Sequence, residues 1–308
     1  MEFDLIFCLC IITFSFICNL LVQKIFLLKS KIDKINHRSS HSVVATKTGG
    51  ISVFFILSLF TIFFYITNNQ IFDYSLMLPL GIIFLTGVYD DLYDADFKLK
   101  FLVQIIVAKL FIDYGFSISN LNGFLGINEL PNILSQILTV ICFLVIVNSI
   151  NFIDGIDGLA SSISIYIISA FEFFTKESEL FHLNVILIMS LLPLFYFNFK
   201  RKNKVFLGDS GSLLLGAIIS INTFSFFNHN TLSPSINPVL VAISILFYPV
   251  FDLFRVFIIR IYNKKSPFVA DQIHLHHVLL NRLNSQIFST LLILFFNLSI
   301  FLIILFKY

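Results

Sequence analysis

The chain has 308 residues, of which 57% are hydrophobic and 12% are charged, and its mean hydropathy is +0.93. A soluble domain is about half apolar and about a quarter charged, so this composition excludes a soluble globular protein and indicates a membrane protein. The net charge of +2 gives no overall field that would attract nucleic acid, and no nucleic-acid partner is expected. The four cysteines lie in apolar runs without a CxxC pair, which predicts buried thiols and not a metal or redox pair.

Apolar segments recur along the whole chain, and many approach the length of about 20 residues that a helix needs to cross a bilayer. They predict an all-α, polytopic integral membrane protein with about ten transmembrane helices in a single domain, residues 1–308. The first segment is interpreted as a transmembrane helix, because its apolar run is too long for a signal peptide and no small-residue cleavage site follows. The segments are 3–28, 49–67, 74–89, 101–118, 133–152, 158–175, 183–199, 207–228, 236–258 and 286–306.

Basic residues are concentrated in alternate connections between these segments, and the other connections hold mainly acidic residues. Because basic loops stay in the cytoplasm, the pattern predicts that both termini face outward and that residues 151–160 face the cytosol. The basic connections contain Lys29, Lys31, Lys34, Arg38 and Lys47, then Lys98 and Lys100, then Lys200, Arg201, Lys202 and Lys204, then Arg260, Lys264, Lys265 and Arg282; the others contain Lys176 with Asp73, Glu129, Glu177 and Glu179.

Four polar clusters stand at the predicted cytosolic ends of these segments, where charge near lipid is costly and is usually functional. Taken singly, each has a structural explanation: a solvated cap for the acids, a helix start for "GDSG", and an interfacial patch for the histidines. In chain order they are "GVYDDLYDADFK" with Asp90, Asp91 and Asp94; "NFIDGIDGLA" with Asn151, Asp154, Gly155 and Asp157; "FLGDSGSLLLG" with Asp209; and "SPFVADQIHLHHVLLNR" with Asp271, His274, His276 and His277.

Together these groups fit a metal-dependent phosphoryl transfer at the membrane surface. Carboxylate and amide oxygens are hard ligands that suit Mg²⁺, or Mn²⁺ in its place, with phosphate oxygens completing the shell. Glycines let the backbone approach a diphosphate, and the helices predicted to begin near residues 158 and 208 present amide groups to anions. Histidines and basic residues can neutralise phosphate charge, while the metal and correct positioning supply most of the rate.

The motifs "DDLYD", "NFIDGIDGLA", "FLGDSGS" and "HLHH", in this order, resemble the four cytosolic motifs of the polyprenyl-phosphate N-acetylhexosamine-1-phosphate transferases, a family 4 glycosyltransferase type. The resemblance implies Mg²⁺-dependent transfer of N-acetylhexosamine 1-phosphate from a UDP-sugar to undecaprenyl phosphate, with release of UMP. It also implies the bacterial cytoplasmic membrane and the first step of a cell-surface polysaccharide, and it allows a homodimer. Asp94 and "HLHH" stand where pentapeptide translocases usually have Lys and three consecutive histidines, which indicates the N-acetylglucosamine or a related aminosugar branch.

The same resemblance implies a role for each cluster. Asp90, Asp91 and Asp94 are the catalytic acids beside the lipid phosphate. One of Asp90 and Asp91 is a candidate base, but a phosphate monoester with a second pKa near 6 is already mostly ionised at pH 7, so a base gains little there. The sequence leaves open which of the two has which role; the interpretation preferred is that Asp90 contacts the phosphate and Asp91 supports it. Asn151 and Asp209 match metal-binding positions. The nucleotide and sugar positions are Asp154, Gly155, Asp157, His274, His276 and His277.

One stretch departs from the family pattern, and two other classes of protein share some features. "RSSH" at 38–41 resembles members from O-antigen and capsule clusters, but the prolines that commonly follow are missing from "SVVATKTGG". An aromatic prenyltransferase also pairs aspartate motifs in a helical membrane body, although it has no need of "GDSGS" or "HLHH". A secondary transporter would place its acids at mid-membrane. The mid-span candidates, Lys109 with Asp113 and Asp252 with Arg255, are predicted to be local ion pairs.

Overall fold

The computed structural model describes residues 5–33, 44–175, 178–228, 237–266 and 271–307, so the "RSSH" stretch at 38–41 lies outside the described residues. The described chain is mainly helical, as the all-α prediction requires. The helices are α1 (Leu5–Leu28), α2 (Gly49–Ile66), α3 (Met77–Tyr93), α4 (Phe97–Asp113), α5 (Asn132–Phe152), α6 (Leu159–Phe174), α7 (Phe181–Asn198), α8 (Gly208–Asn228), α9 (Pro238–Ile245), α10 (Phe247–Tyr262), α11 (Leu275–Leu283) and α12 (Gln286–Lys307).

Several of these helices are long and apolar enough to cross a membrane. Among the described residues there are seven, one of which is α3 extended to Tyr74–Tyr93 by a short 3-10 turn, and α9 with α10, which meet at a 73° bend, would make eight. Helix α6 has 16 residues, and α4 has 17 with three lysines among them, so both fall short by length. The structure therefore confirms a multi-pass helical membrane protein, while the number of about ten crossings stays a prediction.

The helices differ in how much of their surface is covered by protein. Helix α8 is buried throughout its apolar stretch, whereas α1 and α12 bury only 22% and 28% of theirs. Two polar side chains of α8 form hydrogen bonds with backbone carbonyls of the same helix. Ser220 donates to the carbonyl of Gly216 and Asn222 donates to that of Ile218, each at 2.8 Å. Leucine, isoleucine and phenylalanine side chains on α1 and α12 are exposed, as lipid-facing helices require.

Four short strands were not predicted from the sequence. Strands β1 (Ala45–Lys47) and β4 (Lys204–Phe206) pair in parallel, and β2 (Asn120–Phe124) and β3 (Ile127–Glu129) form an antiparallel hairpin. Three to five residues are too few for a reliable period-2 pattern, so sequence periodicity misses them. The β1–β4 register pairs Lys47 with Phe206, which brings this lysine near the start of α8.

The chain divides into two compact units, each built from two separate stretches. The first unit comprises Met1–Ala95 and Glu179–Leu214, and the second comprises Asp96–Ser178 and Leu215–Tyr308. The acidic end of α3 and Asp209 belong to the first unit. Asn151, the aspartate loop that follows it and the histidine motif belong to the second. The single-domain interpretation stays a prediction.

Candidate active site

In the first unit, the acidic end of α3 contacts the beginning of α8. Asp90 and Asp91 lie in the last turn of α3. The side chain of Asp91 is only 4% exposed, and its two oxygens accept hydrogen bonds from the backbone amides of Asp209 and Ser210, each at 2.9 Å. A carboxylate at this position pairs amides that have no partner within the helix and complements the helix dipole. Asp91 therefore caps α8 and fixes the turn that carries Asp209.

Gly208 makes this close contact feasible. Its φ is +75°, in the left-handed region, and a Cβ at this position would lie 2.7 Å from Oδ2 of Asp91. Any other residue would add backbone strain and would push against the capping carboxylate. The glycine of "FLGDSGS" is thus required by the Asp91 cap.

The same unit contains a polar cavity of about 430 Å³, lined in part by Asp91, Asp94 and Lys47. The Nζ atom of Lys47 lies 3.8 Å from Oδ1 of Asp91 and 3.8 Å from Oδ1 of Asp33. Asp94 is the left-handed C-cap of α3, with a φ of +55°, and is exposed. Asp90 is buried and accepts a hydrogen bond from the amide of Ala95 at 2.7 Å. The cavity thus combines carboxylates with an ammonium group.

In the second unit, the aspartate loop joins α5 to α6. Asn151 lies in the last turn of α5, and Asp154, Gly155 and Asp157 follow before α6 begins at Leu159. The backbone of Asp157 is fastened to α12: its amide donates to Oε1 of Gln286 at 2.8 Å, and its carbonyl accepts from Oγ1 of Thr290 at 3.2 Å. Helix α12 therefore holds the loop in place.

The histidine motif packs directly on this loop. His276 is fully buried, and its ring centroid lies 5.5 Å from that of His274 and 4.2 Å from that of His277. Within the described part of the chain, neither ring nitrogen of His276 has a hydrogen-bond partner. Burial, together with the neighbouring histidines, holds the pKa of His276 well below its usual range, so its ring is neutral at pH 7. A Cβ on Gly155 would lie 2.2 Å from Nε2 of His276, so the loop needs a glycine here.

Replacing Gly155 with alanine is expected to destabilise the protein by about 1–3 kcal/mol, because the buried His276 ring has no room to move away. The melting temperature of the purified variant in detergent would fall. Gly81→Ala is the matched control: a Cβ there meets only a Phe54 carbon at 3.7 Å, an ordinary contact, and its melting temperature should not fall. An unchanged melting temperature for Gly155→Ala would contradict the close packing.

Helix α10 presents a stripe of buried residues at intervals of four: Tyr248, Asp252, Val256 and Arg260. Asp252 has no exposed surface, and its Oδ2 lies 2.8 Å from Nδ1 of His274. Arg260 donates two hydrogen bonds to Asp271, at 2.9 and 3.1 Å. Partial burial would raise the pKa of the Asp271 carboxyl, but Arg260 outweighs this effect and holds that pKa below its usual range.

Both predicted mid-span ion pairs are present. Lys109 contacts Asp113, and Arg255 lies 2.8 Å from Asp252. The second pair is more than a local contact, because its carboxylate also binds the histidine motif.

The second unit also contains a cavity of about 320 Å³ that combines cationic, carboxamide and aromatic groups. Three of its lining residues, Asn151, His274 and His277, were predicted, whereas Lys100, Arg260 and Asn148 were not. Charged donors bind phosphate oxygens, and aromatic rings give flat apolar contacts for a base. The remaining lining residues are Phe97, Phe101, Phe152 and Asp271.

The predicted site residues thus fall into two groups. Asp90, Asp91, Asp94 and Asp209 lie around the end of α3 and the start of α8 in the first unit. In the second unit, Asn151 shares a cavity with His274 and His277, and Gly155 contacts His276, while Asp154 and Asp157 lie in the same loop. Sequence analysis missed the site positions of Lys47, Lys100, Asn148, Asp252 and Arg260. Charge inside an apolar segment was the available signal for Asp252, whereas Arg260 was placed in a basic connection because the segment was predicted to end at residue 258 and α10 runs on to Tyr262.

The fold and these contacts define a multi-pass helical membrane protein whose cavity has the chemistry of a phosphate-binding site. The model of glycosyl transferase family 4 matches residues 73–226. The chain is 31% identical to the undecaprenyl-phosphate alpha-N-acetylglucosaminyl 1-phosphate transferase of Thermotoga maritima, over 89% of this chain and 80% of the relative. It is 29% identical to the probable undecaprenyl-phosphate N-acetylglucosaminyl 1-phosphate transferase of Bacillus subtilis, over 84% and 72%. The chain belongs to glycosyl transferase family 4.

Proposed function

We propose that the protein transfers N-acetylglucosamine 1-phosphate, or a related N-acetylhexosamine 1-phosphate, from a UDP-sugar to undecaprenyl phosphate. The observation that carries the proposal is the cavity lined by Lys100, Asn151, His274 and His277, because its groups suit a nucleoside diphosphate sugar. The names of the relatives support the acceptor and the sugar. The product would begin a bacterial cell-surface polysaccharide of the O-antigen, capsule or teichoic acid type. The predicted homodimer stays a prediction.

In the proposed reaction, an oxygen of the lipid phosphate attacks the β-phosphorus of the UDP-sugar. The bond between that phosphorus and the bridging oxygen breaks, and UMP leaves with the bridging oxygen. Lys100, His274 and His277 would bind the diphosphate, and Phe152 would offer an apolar face to the base. Because the acceptor phosphate is already mostly ionised at pH 7, Asp90 would act by contact and orientation and not by removing a proton.

The donor groups of the first unit suit a hard divalent cation. Both oxygens of Asp91 accept hydrogen bonds from backbone amides, so Asp91 supports α8. We therefore assign the ligand role to the carboxylate of Asp209, whose backbone amide is one of those two donors. Asn151, whose carboxamide oxygen was the other predicted ligand, lies in the second unit, and its ligand role stays a prediction. Oxygen ligands of these two types are those that Mg²⁺ prefers, and Mn²⁺ accepts them too. Bound Mg²⁺ would neutralise negative charge that develops on the phosphates.

The direct test uses purified protein in detergent with a panel of UDP-N-acetylhexosamines. We expect UMP to be released only when polyprenyl phosphate and Mg²⁺ are both present, with a sugar-linked lipid diphosphate as the second product. An aromatic prenyltransferase would release diphosphate from a prenyl diphosphate, and a transporter would release no UMP. Either outcome would overturn the proposal.

The orientation in the membrane is part of the same proposal, with both termini outside and the basic connections in the cytosol. Lys202, exposed in the connection between α7 and β4, is a suitable reporter. A Lys202→Cys variant in intact cells is expected to resist an impermeant thiol reagent and to react after the cells are opened. The control is Glu129→Cys, in the exposed hairpin strand β3 predicted to face outward, which should react in intact cells. The reverse pattern would contradict the orientation.

A further inference from the structure

The histidine motif is held by a carboxylate and a guanidinium on α10, neither of which belongs to the motif. We propose that Asp252 is a positioning residue: it fixes the ring of His274 toward the diphosphate of the nucleotide sugar, with Arg255 holding the adjoining backbone. This inference rests on the proposed function, because it assigns the diphosphate as the group that His274 contacts.

Five hydrogen bonds fix the start of the motif. Three of them join α10 to residues 273–275, and the other two join Arg255 to Asp252 within α10. His274 shares a hydrogen bond between its Nδ1 and Oδ2 of Asp252 at 2.8 Å, and the amide of Leu275 donates to Oδ1 at 3.1 Å. Arg255 donates to Oδ1 of Asp252 through Nε at 3.0 Å and through Nη2 at 2.8 Å. Its Nη2 also donates to the carbonyl of Ile273 at 2.5 Å. The three consecutive residues 273–275 are thus fixed from one helix face.

This arrangement does more than satisfy a buried charge. Arg255 alone would give the carboxylate an ion-pair partner, yet Oδ2 is directed to an imidazole. A hydrogen bond at one ring nitrogen of a histidine sets both the orientation of the ring and the role of the other nitrogen. With Nδ1 engaged by Asp252, Nε2 of His274 is the nitrogen left to share a proton with a ligand. His274 also lines the cavity that contains Lys100 and Arg260, where a diphosphate would find positive charge.

The surroundings favour hydrogen bonding over a bound transition metal at this point. Asp252, His274 and His276 do offer ligand atoms within 4.8 Å of one another. However, the guanidinium of Arg255 already lies 2.8 Å from the carboxylate, and a second positive centre there would meet electrostatic repulsion. Among the residues that the structure describes, the other charged or titratable groups near the motif include Lys100, Tyr248, Arg260, Asp271 and His277.

The test is a double-mutant cycle on the detergent-purified enzyme, with initial rates measured against UDP-sugar and against polyprenyl phosphate. Asp252→Asn and His274→Gln are each expected to lower kcat/KM for the UDP-sugar about tenfold or more. The double variant is expected to be no less active than the worse single variant, because Asp252 acts through His274. The KM for polyprenyl phosphate should stay unchanged. Asp252→Glu, which keeps the negative charge, should recover part of the activity that Asp252→Asn loses.

The matched control is Asp113→Asn, which breaks an exposed ion pair with Lys109 elsewhere in the same unit and should keep wild-type rates. Melting temperatures show whether each variant folds, and if Asp252→Asn does not, Arg255→Gln combined with His274→Gln replaces it in the cycle. Additive losses, or a change in the KM for polyprenyl phosphate, would overturn the inference while wild-type activity still supports the proposed function. A tightly bound transition metal that is lost on His276→Gln substitution would overturn it too, since Asp252 would then be a ligand. Inactive wild-type enzyme would instead overturn the proposed function.

Discussion

Replacing Asp209 with asparagine is expected to lower the rate of sugar-phosphate transfer by about two orders of magnitude or more, a loss of about 2.7 kcal/mol of transition-state stabilisation. The substitution keeps the shape of the side chain but removes the charge that would hold Mg²⁺. The rival explanation is that Asp209 only complements the dipole of α8, whose first turn it occupies. A dipole contact contributes about 0.3–1 kcal/mol, too little to account for a hundredfold loss.

The experiment measures kcat as a function of Mg²⁺ concentration for wild type and Asp209→Asn. The variant should also need more Mg²⁺ for half-maximal rate. Asp73→Asn is the control, because Asp73 is also a carboxylate at a helix start, where it accepts a hydrogen bond from the amide of Ser75 at 2.9 Å, but it lies outside the candidate site. Wild-type turnover and unchanged Mg²⁺ dependence in Asp209→Asn would leave Asp209 with no role beyond complementing the dipole of α8.

The motifs could be predicted from the sequence because each is compact along the chain. "NFIDGIDGLA" places its polar groups within one turn region between two apolar helices, so their proximity needs no knowledge of the fold. The same holds for the acidic end of α3. Local ion pairs such as Lys109 with Asp113 follow from helical spacing alone.

The contacts that the sequence could not reveal join residues distant along the chain. The cap formed by Asp91 on Asp209 and Ser210 joins α3 to α8. Lys47 reaches Asp91 because β1 pairs with β4, and neither strand is long enough to leave a pattern. Asp252 was predicted to pair with Arg255, but its bond to His274 depends on how the chain returns after α10. Such contacts are set by packing and not by periodicity.

The cap formed by Asp91 leads to the second large effect. Asp91→Ala is expected to lower the free energy of unfolding by about 3–5 kcal/mol, since it leaves two buried amides of α8 without an acceptor. Asp91→Asn should be milder, because one carboxamide oxygen can still accept while its NH₂ group faces a donor. The melting temperature in detergent should therefore fall in the order wild type, Asp91→Asn, Asp91→Ala. Transfer activity should fall in both variants, since Asp209 loses its fixed position.

Asp94→Asn is the control for stability, because Asp94 is exposed at a φ of +55°, a conformation that asparagine tolerates well. Its melting temperature should equal that of the wild type. Low temperature separates the two contributions of Asp91: activity lost with the fold should return on cooling, whereas activity lost with the position of Asp209 should not. If Asp91→Ala melted at the wild-type temperature and yet lost all activity, Asp91 would act directly on the reactants and the cap would carry no stability. If Asp91→Ala kept both the wild-type melting temperature and the wild-type activity, the contact between α3 and α8 would be irrelevant to the site.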